Sequence, residues 1–151
     1  MSLAIVASRF NEHVTDNLLQ GCLLALRELG LSEESWRVYH VPGAYELPVV
    51  AQALATQKKY QAIICLGAVI QGETPHFIYI CEAVSAGLMD VSLKHGIPVI
   101  FGVLTTATLA QAEERSGSPI GNKGYDAAQS ALEMIHVMKT IAEPKATEEI
   151  S

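Results

Sequence analysis

Apolar positions along this chain fall into alternating patterns. Short apolar runs occupy residues 3–7 (LAIVA), 62–70 and 98–104 (PVIFGVL), each about the length of a buried strand, and residues 36–41 read as a further strand. Between them the spacing changes to three and four residues, as on one face of a helix. Residues 17–29 place Leu18, Gly21, Cys22, Ala25, Leu26 and Leu29 on such a face and stop at Gly30. Residues 47–56 follow the Pro42-Gly43 break, with Pro48 tolerated in the first helical turn. Residues 79–94 carry Cys81, Val84, Leu88, Val91 and Leu93 before Gly96, and 125–141 form a final helix. Thr105, Thr106 and Thr108 offer caps for a shorter helix running through Arg115. From Glu143 the tail is polar and is expected to fray.

Four strands, each apolar throughout, alternating with helices imply a parallel sheet covered on both faces by right-handed crossovers. The expected fold is α/β, a flavodoxin-like three-layer α/β/α sandwich with a four-stranded parallel sheet, and residues 1–151 form one domain. Half of the residues are hydrophobic and 17% are charged, enough for buried strands and a subunit interface besides. A formal net charge of −6 without any basic run argues against nucleic acid as a partner. Cys22, Cys65 and Cys81 lie in apolar contexts with neither metal spacing nor an even count, so they are read as reduced core or interface residues. No charged-then-apolar leader is visible and no apolar run reaches the ~18 residues of a membrane span. A soluble cytoplasmic protein, with no membrane partner, is expected.

In an open parallel sheet the loops after the strands converge on one edge, where ligands bind. The run 62–70 breaks at Gly72 and delivers Glu73, Thr74, Pro75 and His76 to that edge. A strand that hands over to a helix leaves N–H groups suited to an anion, and an imidazole beside them can move protons near neutral pH. Phe10, Ala44, Tyr45, Glu46, Thr105 and Thr106 reach the same edge. Glu46 has two readings that pattern alone leaves open: a carboxylate complementing the helix dipole, or a ligand contact. Phe101 lies within a strand and reads as core. Arg115 and Lys123 stand a helix further on and reach the edge only by folding back or across a subunit boundary. Lys123 lies in the glycine-rich SGSPIGNKG segment, where Gly124 permits close approach of backbone to a ligand. Neither a P-loop nor a GxGxxG sequence is present, so ATP and dinucleotides are not indicated.

Several blocks together resemble the lumazine synthase family: SRFNE at 8–12, VPGAYELP at 41–48, LGAVIQGETPHF at 66–77, PVIFGVLTT at 98–106, QAEERSG at 111–117 and GNKGYDAA at 121–128. They are collinear and cover nearly the whole chain. The resemblance implies condensation of 5-amino-6-(D-ribitylamino)uracil with 3,4-dihydroxy-2-butanone 4-phosphate, releasing phosphate and water, with no cofactor and no metal. It implies that Phe10 stacks on the pyrimidine, that Ala44, Tyr45 and Glu46 meet the ribityl chain and ring edge, and that the backbone of Ala68, Val69 and Ile70 reads the ring. Glu73 and Thr74 stand at the phosphate-binding turn, and His76 at the proton donor and acceptor. From a neighbouring subunit, Phe101 would complete the ring pocket, Arg115 would hold phosphate and Lys123 would lie near substrate, with Asp126 a weaker candidate. A homo-oligomer with shared sites follows, either a pentamer or a sixty-subunit shell, with riboflavin synthase a further possible partner.

Two positions depart from the family pattern. The chain starts almost at its first strand, where members usually carry an arm that pairs with a neighbour, which weighs against the larger cage more than against the pentamer. Ile78 stands where many members carry an acid, whose absence would weaken proton transfer at His76. Competing readings are a flavin- or lumazine-binding shell protein without turnover, and an archaeal-type riboflavin synthase. The co-occurrence of His76, Arg115 and Lys123 favours the synthase, because a pure binder has little need of a phosphate cation.

Overall fold

The computed structural model describes residues 1–117 and 121–144; the centre of the SGSPIGNKG segment and the tail from 145, part of the stretch expected to fray, lie outside the described residues. Strands β1 (Leu3–Ser8), β2 (Trp36–Val41), β3 (Ala62–Ile70) and β4 (Val99–Thr106) alternate with helices α1 (Glu12–Glu28), α2 (Leu47–Thr56) and α3 (His76–His95). A short α4 (Leu109–Glu114) and a long α5 (Lys123–Ala142) follow β4. The sheet is parallel throughout, in the order β2-β1-β3-β4. This is the expected three-layer α/β, flavodoxin-like arrangement.

The period of two along a strand sorts its side chains between two cores. Leu3, Ile5 and Ala7 of β1, with Ile64 and Leu66 of β3, pack under α1 and α5 against Leu18, Cys22, Leu26 and Ala131. Ala4, Val6, Ile63 and Cys65 point the other way, onto Leu47, Ala51, Val84 and Leu88 of α2 and α3. β1 and β3 are central and buried on both sides, which is why they read as unbroken apolar runs. The expectation that every strand is apolar throughout fails for β2, an edge strand whose WRVYHV sequence buries only Val41. Phe101 is likewise not core: β4 is the other edge, and the residue is 45% exposed.

Helix starts also differ from the sequence pattern. α1 begins at Glu12 rather than at residue 17, because Asn11 takes a left-handed conformation (φ 63°) and turns the chain directly into a helix with Val14 and Thr15 buried. Polar Glu12, His13 and Asp16 obscure that first turn in the sequence. α3 begins at His76, immediately after Pro75, and ends at left-handed Gly96 as expected. Thr105 and Thr106 belong to β4, and Thr108 alone caps α4: its Oγ1 accepts from the Gln111 N–H at 3.1 Å, while Gln111 Oε1 accepts from the Thr108 N–H at 3.3 Å.

α3 reaches the length and hydropathy of a membrane span, with a mean hydropathy of 1.2 over eighteen residues, only 17% of them buried. Glu82 and Asp90 interrupt the apolar run in sequence, and Val84, Leu88 and Val91 are committed to the core. Ile78, Tyr79, Met89 and Leu93 of the same helix remain exposed.

α1 and α5 approach so closely that a Cβ on Gly124 would collide with the backbone carbonyl of Leu18. Gly124→Ala is therefore expected to cost about 3 kcal/mol, the upper part of the range for overpacking, read as a lowered denaturant midpoint with an unchanged slope. Burial pushes the thiols of Cys22 and Cys65 up to about 12 from 9.0. The folded chain thus keeps protons that the unfolded chain releases, so this contribution is whole below about pH 9 and is lost as pH rises towards about 12. Denaturant midpoints measured across that window should fall, and Cys65→Ala should flatten the fall.

Candidate functional site

The pairing of β1 with β3 ends at Ala7 and Leu66, whereas β3 and β4 stay paired to Ile70 and Thr106. Beyond Leu66 the β1-facing edge of β3 therefore has no strand alongside it, and the chain leaving β1 swings away towards β2. The Arg9 N–H donates to the Val41 carbonyl at 2.8 Å and the Phe10 N–H to the Pro42 carbonyl at 2.9 Å. These bonds hold the post-β1 loop against the post-β2 loop, and Phe10 projects with 70% of its surface exposed.

A cavity of about 740 Å³ fills the resulting crevice. It brings together Phe10, Ala44, Tyr45, Glu46, Ala68, Val69, Ile70, Thr74 and His76, residues spread over much of the sequence. Glu73, although exposed beside them, does not line it. Glu46 lines the cavity, and its Oε1 accepts from the Gly43 N–H at 2.9 Å across the turn, a capping contact compatible with either of its readings. Thr74 Oγ1 accepts from the His76 N–H at 3.4 Å, at the entry to α3. The imidazole of His76 is exposed and has no ion-pair partner among the described residues.

Sequence reasoning missed Asn11. Its Nδ2 donates to the Ala68 carbonyl at 3.0 Å, replacing the missing strand at that point, and the residue lines the cavity. An asparagine between a strand and a helix, the residue type most tolerant of left-handed backbone after glycine, was the available signal.

Arg115, Lys123 and Phe101 lie elsewhere. Together with Thr105, Thr106, Gln111, Asp126 and Ser130 they line a second cavity of about 400 Å³ on the outer side of β4, and among the described residues none lines both cavities. α4 and α5 do fold back, but onto the sheet's far edge rather than to His76. Arg115 Nη1 donates to the Gln111 carbonyl at 3.0 Å and lies 4.0 Å from the Glu114 carboxylate, while Lys123 Nζ is 3.8 Å from Asp126. All these groups are partly exposed, so the pairs contribute little to stability and leave both cations available to an anion.

The glycine-flanked lysine also needs correction. Lys123 is the first residue of α5, and Gly124 is small because it abuts Leu18, not because backbone approaches a ligand. The Lys123 N–H donates to the Arg115 carbonyl at 2.8 Å, and Asn122 is buried beside it, which ties the two cations together.

One cavity thus offers an aromatic face, a carboxylate, free strand edge and an imidazole, suited to a flat polar heterocycle and proton transfer. The other offers two cations, hydroxyls and a second aromatic, suited to a phosphate. Among the described residues no group of three or more His, Cys, Asp or Glu is placed to hold a metal. A family model described as 6,7-dimethyl-8-ribityllumazine synthase matches residues 1–139, which include every residue of both cavities. The collinear motifs, the parallel sheet and this match agree, and the chain belongs to the 6,7-dimethyl-8-ribityllumazine synthase family, transferases of riboflavin biosynthesis.

Proposed function

We propose that this protein condenses 5-amino-6-(D-ribitylamino)uracil with 3,4-dihydroxy-2-butanone 4-phosphate to 6,7-dimethyl-8-ribityllumazine, releasing phosphate and water, and that residues 1–151 act as one domain. The observation that carries the reading is the division of its chemistry between two cavities. Phe10 stacks on the pyrimidine, the β3 edge at Ala68, Val69 and Ile70 hydrogen-bonds its ring, and the Ala44–Glu46 turn meets the ribityl hydroxyls. His76 moves the protons that imine formation and ring closure require, while Thr74 and Glu73 stand by the phosphate. Arg115 takes the phosphate oxygens as a fork, Lys123 adds a second positive charge near the departing group, and Phe101 closes over the ring.

These roles combine when the β4 side of one subunit meets the β1–β3 crevice of the next. The exposed apolar residues Ile78, Tyr79, Met89 and Leu93 on α3, with Val49 on α2, support such an assembly, since apolar surface of this kind favours burial. We infer a pentamer as the smallest unit. A cytoplasmic location fits the three free thiols, and riboflavin synthase, as consumer of the product, is the proposed further partner.

Mixing the protein with both substrates and following lumazine absorbance with free phosphate tests the reaction. Both should rise together. His76→Ala should lower kcat about 10²-fold or more, the usual size of a general acid–base contribution. Arg115→Met should mainly raise KM for the butanone phosphate, by about tenfold or more, as a lost charged hydrogen bond does. Ile78→Asp should shift the pH–rate profile by giving His76 a carboxylate neighbour. Binding of lumazine without any acceleration over buffer would instead establish a shell or binding protein.

Native mass measurement tests the assembly. The wild type should run as a pentamer or a multiple of it, and Leu93→Glu, placing charge on the exposed face of α3, should shift mass towards the monomer and remove turnover with it.

A further inference from the structure

Asn122 lines neither cavity and is 3% exposed, and its side-chain amide uses both its donor and its acceptor on backbone groups. Its Nδ2 donates to the Asn17 carbonyl of α1 at 2.9 Å and to the Ser116 carbonyl at 3.3 Å, and its Oδ1 accepts from the Tyr125 N–H at 3.0 Å, capping α5. Ser116 and Asn122 form an isolated antiparallel bridge, and the neighbouring Lys123 N–H donates to the Arg115 carbonyl. One amide therefore joins three pieces of chain, and one cation adjoins an anchor of the amide while the other adjoins the asparagine itself. Arg115 directly precedes Ser116, and Lys123 directly follows Asn122.

The surroundings are shaped to keep that amide in place. A Cβ on Gly21 of α1 would fall on the amide atoms of Asn122, so the glycine is the space the amide occupies. Gly124 permits the same close approach of α5 to α1 one turn further on. Arg115 and Lys123 must meet one anion together, and fixing their backbones relative to each other lowers the cost of ordering the chain on binding.

We propose that Asn122 is a positioning residue for anion binding, holding Arg115 and Lys123 at the separation a phosphate group needs. The inference deepens the reading above, since it rests on that pair meeting the phosphate of the substrate. It differs from a purely structural role in being selective. Loss of the amide loosens the cavity on the outer side of β4, while the crevice between β1 and β3 is held by Asn11 and its bond to Ala68.

The test uses equilibrium binding of two probes to the assembled protein, inorganic phosphate by calorimetry and the ribitylaminouracil by fluorescence, so that neither measurement depends on turnover. The variants are Asn122→Ala, Asn122→Asp, which keeps the acceptor but loses both donated bonds, and Gly21→Ala, which pushes on the same amide from α1. Native mass and circular dichroism establish folding. In each folded variant the phosphate Kd should rise about tenfold, ~1.4 kcal/mol, while the pyrimidine Kd stays within about twofold of wild type. Adding Arg115→Met to Asn122→Ala should weaken phosphate binding little beyond Arg115→Met alone, since both act through one contact. If Asn122→Ala does not fold, Gly21→Ala carries the same expectation. The proposal is overturned if the wild type does not bind phosphate, if folded variants bind it as the wild type does, or if both probes weaken alike. Wild type that binds both probes and forms no lumazine would overturn the reaction and leave the phosphate titration to decide on Asn122.

Discussion

The early end of β1–β3 pairing is the constraint from which the rest of the arrangement follows. A parallel sheet this deeply buried leaves no place for unpaired backbone, so a strand edge without a neighbour must be met by side chains, water or a ligand. The chain meets part of it with Asn11, whose amide takes the Ala68 carbonyl while its left-handed backbone starts α1 at once. The edge that remains faces the crevice between Phe10 and His76. The same parting that costs a stretch of ladder opens a crevice at the point where strand order reverses, the place where ligands of open α/β sheets generally gather.

α1 connects this crevice with the second cavity. Its cap, Asn11, reaches β3, and a little further along, the carbonyl of Asn17 receives the Asn122 amide. Arg115 and Lys123 on one side, and the β3 edge on the other, are therefore both tied to α1, although their cavities lie on different sides of β4. In an assembly where each site joins the crevice of one subunit to the outer cavity of the next, rigidity within a subunit also sets the spacing between successive sites. Folding accuracy and site geometry then depend on the same helix contacts.

Much of this was legible in the sequence where one physical demand acted alone. Central strands β1 and β3 show their burial as unbroken apolar runs, and Gly96 marks the end of α3 through its left-handed backbone. Readings failed where two demands met in one residue. Phe101 is apolar within a strand but serves an open edge, and Lys123 looks like a loop residue because Gly124 answers to Leu18 rather than to a turn. Asn11 and Asn122 each reach one residue far along the chain, Ala68 and Asn17 respectively, and such pairs leave no periodicity to detect. The Thr108–Gln111 capping box, by contrast, had a local signal in its spacing.

Exposure gives the remaining step. His76, Phe10, Arg115 and Lys123 are all open to solvent on one chain, where high dielectric weakens every charge–charge and hydrogen-bond contribution they could make. Groups meant to act on an isolated subunit would gain from a deeper cleft, yet the fold leaves both cavities open and places exposed apolar side chains on α3. Joining the halves would remove water from both together, strengthening the cation–phosphate contact and holding the two reactants at high effective concentration, a contribution of up to roughly 7–11 kcal/mol in ideal cases. Assembly would then supply the dry, organised surroundings that the fold of a single chain does not.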